Sequence, residues 1–491
     1  MTAPATIIIT GSGVFGLSTA YAASRDPRFA DSKIILVDRW NFEPGSSTTS
    51  VQNPGAANAD TSRVIRRDYP HPHDAYAALA LEALTHWRAE WGENGRYTDQ
   101  RLLFAAEGSS IEGPKKDGEI INYVKDAYEL SIDITPGGKD GLKVVDSLAA
   151  IRAELGLPSS KPTNIDKDSN ALRGYISDDC GWANAGASIE YLRQKVVKLG
   201  RVQFVVGQVG ELIQSDDEAQ VKGVKLLDGT EILGDLTIVA GGGQSPRILG
   251  LKDLCDVYND VVAFIQLTQA ECDELRRRKW PLIVNVNRGV FAIGPDGDNC
   301  LKLGHFSHSG IVDALKSAKI DLGPRKKTLS AEQEWADPDF GWGGDVQLTE
   351  LGDLVDDDKA RLNKTLADYR LFLIELLGPS SFDSIDTVGD VKYDSVLNSI
   401  AVRPFTRVRK CWYTDRPSLD FIVDYHPSFG RSLFVATGGG DHAFKFLPVI
   451  GEKIVELILY HQGVKAPALR ELNPSVEELS KLWKFPDDLL K

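Results

Sequence analysis

Residues 6–16 read Thr6-Ile7-Ile8-Ile9-Thr10-Gly11-Ser12-Gly13-Val14-Phe15-Gly16, and a second apolar run, Lys33-Ile34-Ile35-Leu36-Val37-Asp38, follows a helix predicted over Val14 to Ser24. Two β-branched runs flanking a helix make a βαβ unit of buried parallel strands, the usual opening of a doubly wound sheet. Gly11, Gly13 and Gly16, with Val14 and Phe15 between them, stand where the strand turns into the helix. There the backbone can approach a pyrophosphate at the helix N-terminus. Asp38, followed by Arg39, ends the second strand, where a carboxylate can accept ribose hydroxyls. The pattern indicates a dinucleotide site and does not by itself separate NAD from FAD.

Further along, residues 201–240 alternate as short strands around an Asp228-Gly229 hairpin turn and end in a glycine cluster. Residues 256–306 alternate again, which predicts a mostly antiparallel sheet. Between these regions lie an amphipathic helix around Ala75 to Trp91 and polar Gly/Pro-rich stretches, Glu112 to Gly141 and Pro158 to Asn170, read as surface excursions. Residues 324–350 have no period and read as a long loop or lid. The fold class expected is α/β, a Rossmann-like dinucleotide-binding domain with a second α+β substrate domain built on a mostly antiparallel sheet. The predicted division assigns 1–70, 176–250 and 396–475 to the first domain, and 71–175 and 251–395 to the second.

The chain has 491 residues, 42% hydrophobic and 26% charged, enough for a large core. Its net charge of −14, without a Lys/Arg-rich tract, argues against a nucleic-acid partner. No run approaches the roughly 20 apolar residues of a spanning helix. With no secretory signal pattern at the start and no S-K-L type address in FPDDLLK, cytoplasm is the expected location. The five cysteines, Cys180, Cys255, Cys272, Cys300 and Cys411, lack C-x-x-C spacing and read as reduced thiols, with no metal site expected.

A second motif region begins at Lys410-Cys411-Trp412-Tyr413-Thr414 and continues through Asp420-Phe421-Ile422-Val423-Asp424-Tyr425-His426-Pro427. It ends in Ala436-Thr437-Gly438-Gly439-Gly440-Asp441-His442-Ala443-Phe444-Lys445-Phe446. A second glycine turn, far from the first, permits close approach to another part of a long cofactor. A helix predicted to start near Pro448 would direct its positive end there.

From Cys411 to Phe446 the sequence resembles the amine-oxidising flavoproteins that include monomeric sarcosine oxidase, pipecolate oxidase and the fungal fructosyl amino acid oxidases (amadoriases), and is nearest the fungal branch. The resemblance implies FAD, bound through Gly11, Gly13, Val14, Phe15, Gly16, Asp38, Arg39, Gly439, Gly440, Phe444 and Lys445, and attached covalently through a thioether to Cys411. Asp60-Thr61-Ser62-Arg63-Val64-Ile65-Arg66 resembles the family segment beside the flavin ring, which implies Arg66 as a carboxylate binder and Arg63 as a catalytic residue. The two arginines are expected on one side of a helical turn or extended hook.

Leu301-Lys302-Leu303-Gly304-His305 resembles the strand whose lysine activates dioxygen; read without the resemblance, Lys302 would face outward on an alternating strand. Lys445 falls on a second carboxylate contact, and His442 on a position near the flavin ring, where it could instead cap the following helix. The family implies a monomer whose partners are a small-molecule amine and dioxygen, the amine giving an imine and the oxygen leaving as hydrogen peroxide.

In the fructosyl amino acid oxidases the position four after the lysine is acidic, and here it is Phe306. An aromatic side chain cannot accept the hydrogen bonds of a sugar-linked ammonium, which shifts the expected substrate to N-methyl or N-alkyl amino acids or aromatic amines, with biosynthesis of isoquinoline-type alkaloids as one role. Fructosyl amino acids and saccharopine- or pipecolate-type substrates are the alternatives. An NAD-dependent dehydrogenase would leave Cys411 and the second glycine turn without a purpose, and a non-catalytic flavin binder would leave Arg63, Arg66, Lys302 and Lys445 without one.

Overall fold

Strand Thr6–Thr10 lies inside a six-stranded sheet in the order Ile422–Tyr425, Leu433–Thr437, Leu236–Val239, Thr6–Thr10, Lys33–Asp38, Val202–Val206. All neighbours pair in parallel except the antiparallel edge strand Ile422–Tyr425. Ile7, Ile8 and Ile9 are at most 1% exposed, as a strand covered on both faces requires. The computed structural model describes residues 3–41, 53, 56–134, 138–158, 172–306, 345–348, 356–378, 396–416, 418–464, 473–486 and 489.

Helix Val14–Arg25 follows the first strand directly. A side chain at Gly16 would place its Cβ 1.9 Å from the Gly11 carbonyl oxygen, and Gly11 itself has φ +91°, so the turn admits no larger residue at either position. The helix buries its apolar side in one core with helices Asp74–Trp87, Ala185–Leu199 and Ile450–Gln462. A three-stranded antiparallel sheet, Val209–Gln214, Val221–Leu226 and Glu231–Leu233, carries the expected hairpin; Gly229 has φ +90° and Asp228 accepts the Thr230 amide at 2.9 Å.

The second large sheet has nine strands in the order Asp345–Gln347, Arg407–Asp415, Asp256–Gln266, Cys300–His305, Val290–Ile293, Leu282–Asn285, Leu102–Glu107, Leu172–Ser177, Leu142–Val145. Every adjacent pair is antiparallel except Leu282–Asn285 with Leu102–Glu107. The α/β class with a mostly antiparallel second sheet is therefore as expected. A small sheet, Arg63–Arg66, Cys180–Ala183 and Tyr97–Asp99, completes the strands.

The sequence reading departs from the structure in several places. Within the expected surface stretch Glu112 to Gly141, residues Ile121–Ile134 form a helix that buries Ile121, Val124, Ala127 and Tyr128 against the nine-stranded sheet. Apolar residues three apart carry it despite polar flanks. The helix expected near Pro448 starts at Ile450, and a 3-10 turn, Ala443–Phe446, comes between it and the glycines. Arg407–Asp415 lies in the nine-stranded sheet although the sequence division places 396–475 with the dinucleotide-binding strands. Asp256–Gln266 pairs with it over nine positions, a partner that no local pattern reveals. Of the expected lid, 324–344 and 349–350 lie outside the described residues, and Asp345–Gln347 is an edge strand. Among the described residues no helix is long and apolar enough to cross a membrane, and no cluster of candidate ligands could hold a metal ion.

Candidate active site

A cavity opens over the ends of the parallel strands, lined both by Gly11, Gly13, Val14, Phe15, Asp38 and Arg39 and by Trp412, Tyr413, Thr414, Gly439, Gly440 and Phe444. Asp38 is already engaged: Ser12 donates its amide and its hydroxyl to Oδ2, each at 2.7 Å, and the Trp40 amide donates to Oδ1 at 2.8 Å. Carboxylate oxygens can accept further hydrogen bonds, so ribose hydroxyls remain compatible with this geometry. Gly13 turns its missing side chain toward space, with Asn58 Oδ1 as the nearest atom at 3.6 Å. Thr10 Oγ1, buried beside the same cavity, has no hydrogen-bond partner among the described residues. The lining drawn from both glycine turns, the open glycine cradle and the unsatisfied hydroxyl fit a bound dinucleotide.

A second cavity adjoins the first, since Arg63, Tyr413, Asp441 and Phe444 line both. Arg66, Lys445 and Lys302 line it together with Asp441 and with Phe104, Tyr123, Phe291 and Phe306. The Arg66 guanidinium stands 5.3 Å from the Tyr69 ring centre and 5.2 Å from that of Phe104, and its Nη1 has no hydrogen-bond partner among the described residues. Lys445 is 4% exposed, and its ammonium donates to the Tyr69 hydroxyl at 2.8 Å. Burial, and then the neighbouring Arg66, pull the Lys445 ammonium well below the usual lysine range. Among the described residues neither cation is salt-bridged to a carboxylate; Asp441, which lines the same cavity, and Asp68 act on both through space, and Arg66 Nη1 is left for an incoming anion.

Lys302 is wholly buried, not outward-facing: it forms an ion pair with Asp60 Oδ2 at 2.8 Å and donates to the Ser62 carbonyl. Burial alone would raise the Asp60 carboxyl, but Lys302, Arg63 and Arg409 outweigh it and hold the group below the usual aspartate range. Arg63 donates from Nη1 to the Tyr413 hydroxyl at 3.2 Å and from Nη2 to the Ala57 carbonyl; Nη2 also lies 3.6 Å from both Cys411 Sγ and Asp60 Oδ2. Cys411 is 2% exposed and shares a strand face with Tyr413, which lines both cavities.

Arg63 and Arg66 belong to a strand, so the extended alternative held over the helical one, and both reach the second cavity. Gly16 shapes the glycine turn without lining the cavity. His442 makes no side-chain cap to the 3-10 turn that follows; it lines the second cavity and stacks on Phe421 with ring centres 4.8 Å apart. Sequence reasoning singled out neither Tyr69, Phe104, Tyr123 nor Phe291, because aromatic residues spread over distant elements carry no spacing signal. Asp60 was within reach, as the one acid in the segment that holds Arg63.

The glycine-cradled cavity joined to a cationic and aromatic one defines a flavin-type oxidoreductase. Residues 6–344 match the FAD dependent oxidoreductase family, and the chain belongs to that family. It is 59% identical over 497 residues to the amino acid oxidase fsqB of Aspergillus fumigatus, covering 100% of each chain. It is 47% identical to the amino acid oxidase imqH of Aspergillus flavus, covering 99% of this chain and 98% of that one. L-saccharopine oxidase of Schizosaccharomyces pombe is 26% identical over 92% of this chain and 90% of its own length. Among solved structures, Amadoriase I of Aspergillus fumigatus superposes with a TM-score of 0.64 at 18% identity, covering 100% of this chain and 91% of that one, which is a likeness of fold.

Proposed function

We propose that the protein is an FAD-dependent oxidase of secondary amines that carry a carboxylate, N-methyl or other N-alkyl amino acids with an aromatic part, acting on the CH–NH group with dioxygen as acceptor. The observation that carries this reading is the presence of Arg66 and Lys445, two cations not salt-bridged to a carboxylate among the described residues, in one cavity with Phe104, Tyr123, Phe291 and Phe306. A carboxylate held by the cations leaves the apolar part of the substrate against the aromatic wall, which fixes the carbon to be oxidised. The names of the relatives, amino acid oxidases and an L-saccharopine oxidase, support the amino-acid class.

FAD would supply the acceptor for the hydride equivalent and the route of its electrons to dioxygen, which would leave as hydrogen peroxide. Residues of the chain would hold FAD: Gly11 to Gly16, Asp38 and Arg39 the dinucleotide, Gly439 and Gly440 its far end, and the Cys411 thiol the covalent link. Arg63 lies beside that thiol, Lys302 supplies the buried cation at the oxygen site, and His442 borders the reacting region. The imine leaves to hydrolyse or is captured within the substrate, which suits a tailoring step in natural-product synthesis. Phe306 in the cavity wall speaks against deglycation of fructosyl amino acids, for which an acceptor would be wanted there. We also retain the division into an FAD-binding and a substrate-binding domain, a monomeric state and a cytoplasmic location as parts of this reading.

The test is a peroxide-release screen of the purified yellow protein against N-methyl amino acids with aromatic side chains, matched amines lacking the carboxylate, and fructosyl amino acids. Turnover confined to the first set supports the proposal; preference for the fructosyl set overturns it.

A further inference from the structure

His442 and Lys445 both border the second cavity, and Tyr69, which does not line it, joins them from behind. Three hydrogen bonds run in sequence. His442 Nε2 lies 3.0 Å from the Leu419 carbonyl oxygen, the Tyr69 hydroxyl 3.0 Å from His442 Nδ1, and Lys445 Nζ 2.8 Å from the Tyr69 hydroxyl. Their direction is fixed by chemistry. A carbonyl only accepts, so Nε2 bears the hydrogen, and in the neutral imidazole Nδ1 is then an acceptor. Tyr69 must therefore donate to Nδ1 and can offer Lys445 only lone pairs. The His442 ring is enclosed by Tyr69, Tyr76, Phe421 and Phe446.

The Leu419 carbonyl is set in place by a costly backbone conformation. Leu419 has φ +63°, a left-handed geometry unfavourable for a branched apolar residue, and its carbonyl receives the His442 hydrogen. The Tyr69 ring packs against Tyr76 and Phe446, with ring centres 5.7 Å and 6.5 Å away, and bears the Arg66 guanidinium at 5.3 Å.

We propose that Tyr69 is a positioning residue for substrate binding: locked as a donor to His442, it anchors one N–H of Lys445 and so directs the remaining two into the cavity toward the substrate carboxylate. This rests on the reading of Lys445 as a carboxylate contact. It assigns to His442 the task of orienting Tyr69, and it places the discrimination for carboxylate-bearing substrates partly on a residue that never touches them.

The test uses the FAD-loaded enzyme and benzoate as the carboxylate probe, with affinity measured by calorimetry in wild type, Tyr69→Phe, Lys445→Met and the double variant. Tyr69→Phe keeps the ring and its packing and removes only the hydroxyl. The expected result is about a tenfold or greater loss of benzoate affinity in each single variant, with the double variant no weaker than Lys445→Met. In steady state, Tyr69→Phe should raise KM for an N-methyl amino acid by a similar factor while kcat stays within about threefold. A general structural disturbance would lower both.

Wild-type affinity in Tyr69→Phe, or losses that multiply in the double variant, overturns the role of Tyr69 while leaving Lys445 as a contact. Unchanged affinity in Lys445→Met removes the carboxylate reading and this inference with it. If Tyr69→Phe does not fold, His442→Phe probes the chain from its other end. There, loss of the acceptor frees the hydroxyl to rotate, weakening benzoate by about threefold; unchanged affinity counts against the proposal.

Discussion

The Lys302 ammonium sits 2.8 Å from the Asp60 carboxylate with both side chains at most 1% exposed, tying the central part of the nine-stranded sheet to the segment that leads into Arg63–Arg66. Such a pair is costly to desolvate, and breaking it strands one charge in the interior. Lys302 also lines the second cavity.

Lys302→Met should therefore have two separable effects. In stopped-flow measurements, reduction by substrate under anaerobic conditions should change by less than about threefold, whereas reoxidation by dioxygen should slow by about a hundredfold or more, the loss expected when a preorganised charge is removed. Thermal unfolding should show a loss of about 3 kcal/mol, because Asp60 loses its ion-pair partner and keeps Arg63 and Arg409 as balancing charges. Normal reoxidation in this variant would exclude Lys302 from the oxygen step.

Denaturing precipitation of the wild type should leave the yellow colour with the protein, and mass analysis of the peptide containing Cys411 should include FAD. Cys411→Ser should release the colour to the supernatant. Release from the wild type would make Cys411 a packed thiol and leave the family membership untouched.

The depressed Lys445 ammonium makes a pH prediction. A lysine whose folded value is lowered gives up its proton as pH rises through a point below the ordinary 10.4 or so. Benzoate affinity should therefore fall with rising pH, starting below that value, while Arg66 stays charged throughout. In Lys445→Met this alkaline fall should be missing, and its persistence would assign the titration to another group.

Acid stability should depend on Glu271, whose carboxyl the hydrogen-bonded Arg403 guanidinium, 2.6 Å away, draws down to about 2. A depressed carboxyl stabilises the fold above its unfolded value near 4.3, and that contribution is lost as pH falls from there toward about 2. Because the pair meets solvent, about 1 kcal/mol is expected at neutral pH. The difference in melting temperature between wild type and Glu271→Gln should be present at pH 7 and should close as the pH is lowered through this window.

The parallel sheet, the first glycine turn and the family were legible along the chain. Those features are local: a strand, a turn that tolerates only glycine at Gly11 and Gly16, and a helix succeed one another within a few residues, so spacing alone encodes them. It also marked Arg66, Lys302, Cys411 and Lys445, each inside a short motif. The buried helix Ile121–Ile134 stayed hidden because its apolar residues are outnumbered by polar neighbours, and their burial depends on a sheet built from other parts of the chain.

Only the tertiary structure decided what those marked residues face. Whether Lys302 pointed inward depended on Asp60, 242 positions away, and the aromatic wall draws Phe104, Tyr123, Phe291 and Phe306 from separate elements. The direction of the Tyr69 hydroxyl depended on His442, 373 positions further along. Backbone turns are set by near neighbours, whereas a side chain's charge state and hydrogen-bond direction are set by whatever the completed fold brings within about 3 Å of it.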